Sequence, residues 1–143
     1  MNQKSGFTFL EILVAMLIIS ILSGVVGLSL YQYVRKAKVE AARSQIKTFR
    51  TALQMYRAAH GQFPSQAQVL EALCVAPTTE PIPKDYPAEG YLDSRNLPKD
   101  PWNNPYVYVM PGRGGEPYEI ICYGSDGEEG GAGDAADITS ATL

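Results

Sequence analysis

Residues 6–30 read GFTFLEILVAMLIISILSGVVGLSL, and from Ile12 to Leu30 the run carries no charge. At 1.5 Å of rise per residue, about 20 such residues cross the hydrocarbon core of a bilayer, so a membrane helix is predicted over this stretch. A secretory signal peptide shares the short charged start and the apolar run. It fits less well, because the run is longer than a usual signal core and no small-residue cleavage site with turn residues follows. Instead the chain passes without a break into the helix-forming stretch YQYVRKAKVEAARSQIKTF at 31–49. Glu11 interrupts the apolar character near its start. Burying a carboxylate in a membrane helix costs roughly 2.5–3.5 kcal/mol on insertion scales, so Glu11 either sits at the interface or serves a function. Gly6-Phe7 directly before it favours the second reading.

Beyond the apolar run, Val39, Ala42, Ile46, Phe49, Leu53 and Tyr56 recur at spacings of three and four, which places them on one helical face. A free amphipathic helix or a coiled coil gives the same stripe. The segments that follow point instead to a small sheet packed on it. His60-Gly61 and Phe63-Pro64 end the helix, glycine supplying a left-handed cap and Pro64 preventing resumption. His60, the only histidine, reads as a helix-end residue, since no second histidine or thiol pair beside it makes a metal site. Ser65–Leu73 resembles a short helix capped by Ser65. Asp100 to Tyr106 is a turn bounded by prolines, Tyr106–Met110 a strand, Pro111–Gly115 a hairpin connection and Tyr118–Cys122 the return strand. The expected fold class is α+β: a long N-terminal helix, membrane-spanning in its first half and amphipathic in its second, packed against a small head with a short helix and an antiparallel sheet. Charge divides the same way, with 8 Lys/Arg against 2 Asp/Glu up to Ala59 and 4 against 13 from His60 onward. An acidic head does not suit nucleic acid, which needs a basic surface to displace phosphate counterions. No nucleophile with a base and an orienting group is evident, and there is no phosphate-binding loop, so an enzyme is not expected.

The run Gly6-Phe7-Thr8-Phe9-Leu10-Glu11 ahead of an apolar helix resembles the processing signal of type IV pilins and type II pseudopilins. The strings LPKDPWNNPYVYVMPG at 97–112 and YEIICYGSDGEEGGAGDAADI at 118–138 are similar to the C-terminal half of the general secretion pathway protein G family, the major pseudopilins of type II secretion systems. The resemblance covers most of the chain and leaves mainly Cys74 to Gly90 outside it. It implies a leader at 1–6 removed after Gly6 by a prepilin peptidase that methylates the new N-terminus at Phe7. It further implies a transmembrane and filament-core helix at 7–30, an amphipathic half of the stem at 31–60 and an extracytoplasmic head at 61–143. The implied assembly is a homo-oligomeric helical filament, the pseudopilus, which acts with minor pseudopilins and an inner-membrane secretion platform. A partner ATPase would power it. The protein would be single-pass in the inner membrane with its head in the periplasm. Glu11 of one subunit would neutralise the α-amino group at Phe7 of its neighbour, which fixes axial register because a misplaced neighbour leaves a charge buried alone. A type IV pilin is the alternative within the same architecture. A calcium-dependent adhesin shares the acidic loop but gives no reason for Gly6-Phe7 with Glu11.

The acidic loop reads two ways from its residues. Asp126, Glu128, Glu129, Asp134 and Asp137 lie among glycines, which suits convergence on a hard cation such as calcium and equally suits a solvated tail; the spacing is not that of an EF-hand. The family resemblance implies calcium, with Asp126 and Asp137 as side-chain ligands, Asp134 as a further candidate and the backbone carbonyl of Tyr123 as another donor. Cys74 and Cys122, the only cysteines, leave two arrangements open: a disulfide closing a long loop, or two separately buried thiols. Several features depart from the family pattern. Asn103 stands where glycine is usual, the tail after Ile138 reads TSATL, and Leu28 lies near where many pilin helices carry proline, with Gly24 and Gly27 available to loosen the helix instead. Arg35, Lys36, Lys38, Arg43 and Lys47 would by the positive-inside count place the C-terminal side in the cytoplasm; the processing signal and the cysteines argue for the opposite side.

Overall fold

The computed structural model describes residues 6–143, with side chains left out at 25–29. The expected leader therefore lies outside the described residues except for Gly6. One helix, α1 (Phe9–His60), is followed by a 3-10 turn at Leu70–Leu73 and three strands: β1 (Val107–Val109), β2 (Glu119–Cys122) and β3 (Ile138–Thr139). Contacts divide the chain into two units, Met1–Ala37 and Lys38–Leu143.

In the first unit α1 holds its helical backbone through Gly24 and Gly27, so the glycines do not break it. Its apolar side chains, among them Phe9, Leu10, Met16, Ile19 and Leu22, are exposed. Among the described residues no helix is long and apolar enough to cross a membrane. The uncharged run 12–30 includes residues 25–29, whose side chains lie outside that description.

In the second unit the predicted stripe is the core. Ala42, Ile46, Phe49, Leu53 and Tyr56 are buried, Ala52 joins them, and Val39 packs at the edge. The sheet runs β1-β2-β3 with both pairs antiparallel: Val107 faces Ile121 and Val109 faces Glu119, while Cys122 faces Ile138. Both faces of β2 are covered, and all four of its residues are buried. Phe49 of α1 meets Tyr106, just before β1, edge-to-face at 5.0 Å, the geometry that aligns a ring's positive rim with its neighbour's negative face. β1 leaves one edge open, and Gln66 closes it: its Nε2 donates to the Tyr108 carbonyl at 2.9 Å and its Oε1 accepts from the Met110 amide at 2.6 Å. A strand edge is thus satisfied by one carboxamide rather than by another chain.

One expectation is corrected and one open choice is decided. The segment Ser65–Leu73 is not a capped helix. Val69 adopts φ 47°, a conformation costly for a β-branched residue that breaks helical continuity, and only Leu70–Leu73 is helical, as a 3-10 turn. The Ser65 hydroxyl is buried without a partner; its carbonyl and amide are used instead, the carbonyl accepting from Gln68 and Val69 and the amide donating to Gln68 Oε1. Of the two arrangements left open for the cysteines, the structure has the unbridged one. Cys74 and Cys122 are separate buried thiols, Cys74 at the end of the 3-10 turn and Cys122 at the end of β2, where its Sγ donates to Asp100 Oδ2 at 3.2 Å. The cysteines therefore no longer argue for an oxidising side. His60 does close α1, donating to or accepting from Tyr91 Oη at 2.7 Å through Nε2, and Gly61 caps the helix at φ 77° with its amide on the Arg57 carbonyl.

Candidate functional site

Two places carry the residues singled out by sequence. At the chain start Gly6 and Phe7 precede the helix and both are exposed. Thr8 is the residue before the first helical position, and Glu11 stands three further on. Glu11 Oε2 accepts from the Thr8 amide at 2.7 Å and from its hydroxyl at 2.9 Å, while the Glu11 amide donates to Thr8 Oγ1 at 3.2 Å. This is a reciprocal capping box that satisfies amides left open at a helix N-terminus. The signal was present in the sequence as Thr-x-x-Glu, and reading Glu11 only as a charge in an apolar run passes over it.

The second place is the loop 123–137, which joins β2 to β3. Antiparallel pairing of Cys122 with Ile138 brings its two ends side by side. The neck is closed by the Ser125 amide donating to the Asp134 carbonyl at 2.9 Å. Gly124 must be glycine here: φ is 67°, and a Cβ would come within 2.6 Å of that same carbonyl oxygen. Tyr123 begins the first arm directly after β2. Asp126, on that arm, accepts from the Glu128 amide at 3.2 Å, a local turn. Asp137, at the far end, accepts from the Gly130 amide through Oδ2 at 3.0 Å, whereas its Oδ1 is enclosed without a hydrogen-bond partner. Asp134 lies in a 3-10 turn, Gly133–Ala135, and lends its carbonyl to the neck.

An enclosed carboxylate oxygen lacking any donor is costly, and a hard cation is one way to satisfy it. Asp137 Oδ1 therefore fits the cation that the family resemblance implies. Among the described residues no group of three or more His, Cys, Asp or Glu side chains stands close enough to hold a metal ion by itself. A cation held here would need backbone carbonyls as well as carboxylates, as calcium accepts.

Two side chains from outside reach this loop. Asn104 Nδ2 donates to the Gly124 carbonyl at 3.0 Å. Arg113, in the hairpin connection between β1 and β2, pairs with Glu129 and lies 3.4 Å from the buried Glu119 of β2. Neither was expected from sequence, because both contacts join residues distant along the chain. Below the neck, Asp100 Oδ1 accepts from the Trp102 and Asn104 amides at 2.9 and 2.7 Å. Burial pushes the Cys122 thiol up to about 12, and Asp100 beside it adds to the rise.

The description of type II secretion system protein G matches residues 29–141, and that of the prokaryotic N-terminal methylation motif matches residues 1–27. The chain belongs to the type II secretion system protein G family. The type II secretion system core protein G of Pseudomonas aeruginosa is 43% identical over 137 residues, covering 96% of this chain and 94% of that protein. The Vibrio cholerae core protein G is 40% identical over 138 residues, covering 96% and 92%. The crystal structure of the major pseudopilin from the type 2 secretion system of enterohaemorrhagic Escherichia coli superposes with a TM-score of 0.65 at 33% identity, covering 76% of this chain and 90% of that one. This family consists of structural pseudopilins, and the α+β architecture with a long N-terminal helix is theirs. The chain is a pseudopilus subunit of type II secretion and not an enzyme.

Proposed function

We propose that this chain is made as a prepilin, anchored in the inner membrane by residues 7–30, cut after Gly6 and methylated at Phe7, and then assembled into a periplasmic pseudopilus. The pairing of the methylation motif over residues 1–27 with the protein G match over 29–141 carries this reading, because processing signal and head then belong to one assembly. The exposed apolar side chains of Phe7 and of α1 from Phe9 to Leu22 support burial in lipid before assembly and against neighbouring subunits after it, since so much apolar surface is unfavourable in water. Prepilin peptidase, minor pseudopilins and the inner-membrane platform are the partners this reading requires. Intact-mass measurement of the protein from its native membrane tests it. Loss of MNQKSG with one added methyl group is expected, and a chain beginning near Ser29 would mean ordinary signal-peptide cleavage and no filament.

The loop 123–137 belongs to the same proposal as a calcium site. Asp126 and Asp137 supply side-chain oxygens, with Asp134 and the Tyr123 carbonyl as further donors. The partnerless Asp137 Oδ1 supports it. Bound calcium would tie the two arms of the loop together, and the chain's own part is to hold those arms in place through the Ser125–Asp134 neck.

A further inference from the structure

Asn104 does two separable things. Its backbone belongs to a tight turn: the Asn104 amide donates to Asp100 Oδ1 at 2.7 Å and its carbonyl accepts from the Asp100 amide at 2.9 Å. Asp100 is buried and anchored in turn to the last residue of β2, since its Oδ2 accepts from Cys122 Sγ. Any residue supplies a backbone amide and carbonyl, so none of this uses the Asn104 side chain. The carboxamide points elsewhere. Nδ2 donates to the Gly124 carbonyl at 3.0 Å, and a Cβ built on Gly127 would lie 3.2 Å from the Asn104 Cγ and Oδ1. The amide plane therefore rests against the backbone at both 124 and 127, the two glycines that flank Ser125 and Asp126.

We infer that Asn104 is a positioning residue for the cation site, holding the arm that carries Asp126 in its binding conformation before the cation arrives. The inference rests on the proposed calcium reading of the loop. A flexible arm must be ordered when the ion binds, and the free energy of ordering is subtracted from affinity; an arm already docked on a rigid turn loses less. The Asp100 turn is rigid because it is fixed to the sheet at Cys122. Asn104 transmits that rigidity to glycine-rich backbone that has φ of 67° at Gly124 and 72° at Gly127 and no side chains of its own at those positions to pack.

The test is calorimetric titration of calcium chloride into the full-length protein in detergent micelles, stripped beforehand with chelator. Asn104→Ala keeps the turn and removes only the loop contact. It should bind calcium roughly three- to tenfold more weakly, the worth of one neutral hydrogen bond, while the melting temperature in chelator falls only by what that same bond contributes to the cation-free fold, a few degrees. Gly127→Ala strains a backbone at φ 72° in either background and in the parent also presses a methyl group on the Asn104 carboxamide; it should weaken binding, and by less in the Asn104→Ala background, where only the strain remains. Parent-like affinity in Asn104→Ala, or independent and additive losses in the double variant, overturns the positioning role. A parent protein that takes up no calcium overturns the calcium reading itself, and is told apart because it needs no variant.

Discussion

Glu11 and Thr8 cap the same helix end from both directions, the carboxylate taking the Thr8 amide and hydroxyl and the hydroxyl taking the Glu11 amide. The carboxylate expected to pair with a neighbouring subunit is thus already engaged within its own chain. Pairing with the amino group of a neighbour has to compete with this cap or share the carboxylate with it. A carboxylate has lone pairs enough for both.

The two roles separate by substitution. Thr8→Val removes the hydroxyl and leaves the charge, so the first turn should fray by about 1 kcal/mol while filaments still assemble. Glu11→Leu removes cap and charge together, should insert in the membrane at least as well as the parent, and should fail to assemble. Hydrogen exchange of the amides at 9–12 reads the first effect and filament yield the second. Full assembly by Glu11→Leu would leave the carboxylate with the capping role alone.

Calcium should raise the melting temperature of the full-length protein in detergent relative to chelator, by binding to the folded state only. At a concentration 100 times Kd the stabilisation is about 2.7 kcal/mol. Asp126→Ala and Asp137→Ala should each remove most of that increment, whereas Glu128→Ala should not. Magnesium should substitute poorly because it demands a tighter octahedron. Equal melting in calcium, magnesium and chelator would make the loop a solvated acidic connection.

The buried Cys122 thiol links stability to alkaline pH. Its folded value is raised from 9.0 to about 12, first by burial and then by Asp100. The protonated form is favoured by folding, so this contribution is whole below pH 9 and is lost as pH rises through about 12. Burial raises Tyr106 and Tyr108 in the same direction. Denaturant midpoints should accordingly fall above about pH 9, and maleimide should label Cys122 at neutral pH only when the protein is unfolded. Rapid labelling of the native protein would contradict the enclosed thiol.

Phe49 is fully buried and meets Tyr106 edge-to-face, joining helix to sheet. Phe49→Ala should cost about 3–5 kcal/mol through lost burial and the cavity left behind. Phe49→Leu should cost much less. Chemical denaturation of both variants checks the order, and equal losses would mean that refilling the volume recovers nothing and that the ring's shape and edge contact carry the stability.

The sequence by itself determined the elements whose signals are local. Spacings of three and four placed Ala42 to Tyr56 on one buried face, Gly61 and Pro64 ended the helix, and β-forming residues on either side of Pro111-Gly112 made the hairpin. The motifs at Gly6-Phe7 and at DPWNNPY identified the family. Thr8-x-x-Glu11 was equally local, and reading it required only treating Glu11 as a helix-start residue. Tertiary structure alone decided how distant segments meet. Ser65 could cap a helix by its type, but the Val69 conformation broke that helix. The two thiols could bridge by their number, but each is buried in a different place, Cys122 against Asp100. β3 is only two residues long, too short to show a pattern, and exists because β2 offers it an edge. Asn104 and Arg113 reach the acidic loop across 20 and 16 residues of chain. Such contacts depend on which backbone groups the folded sheet brings within hydrogen-bond range, and no periodicity along the chain encodes that distance.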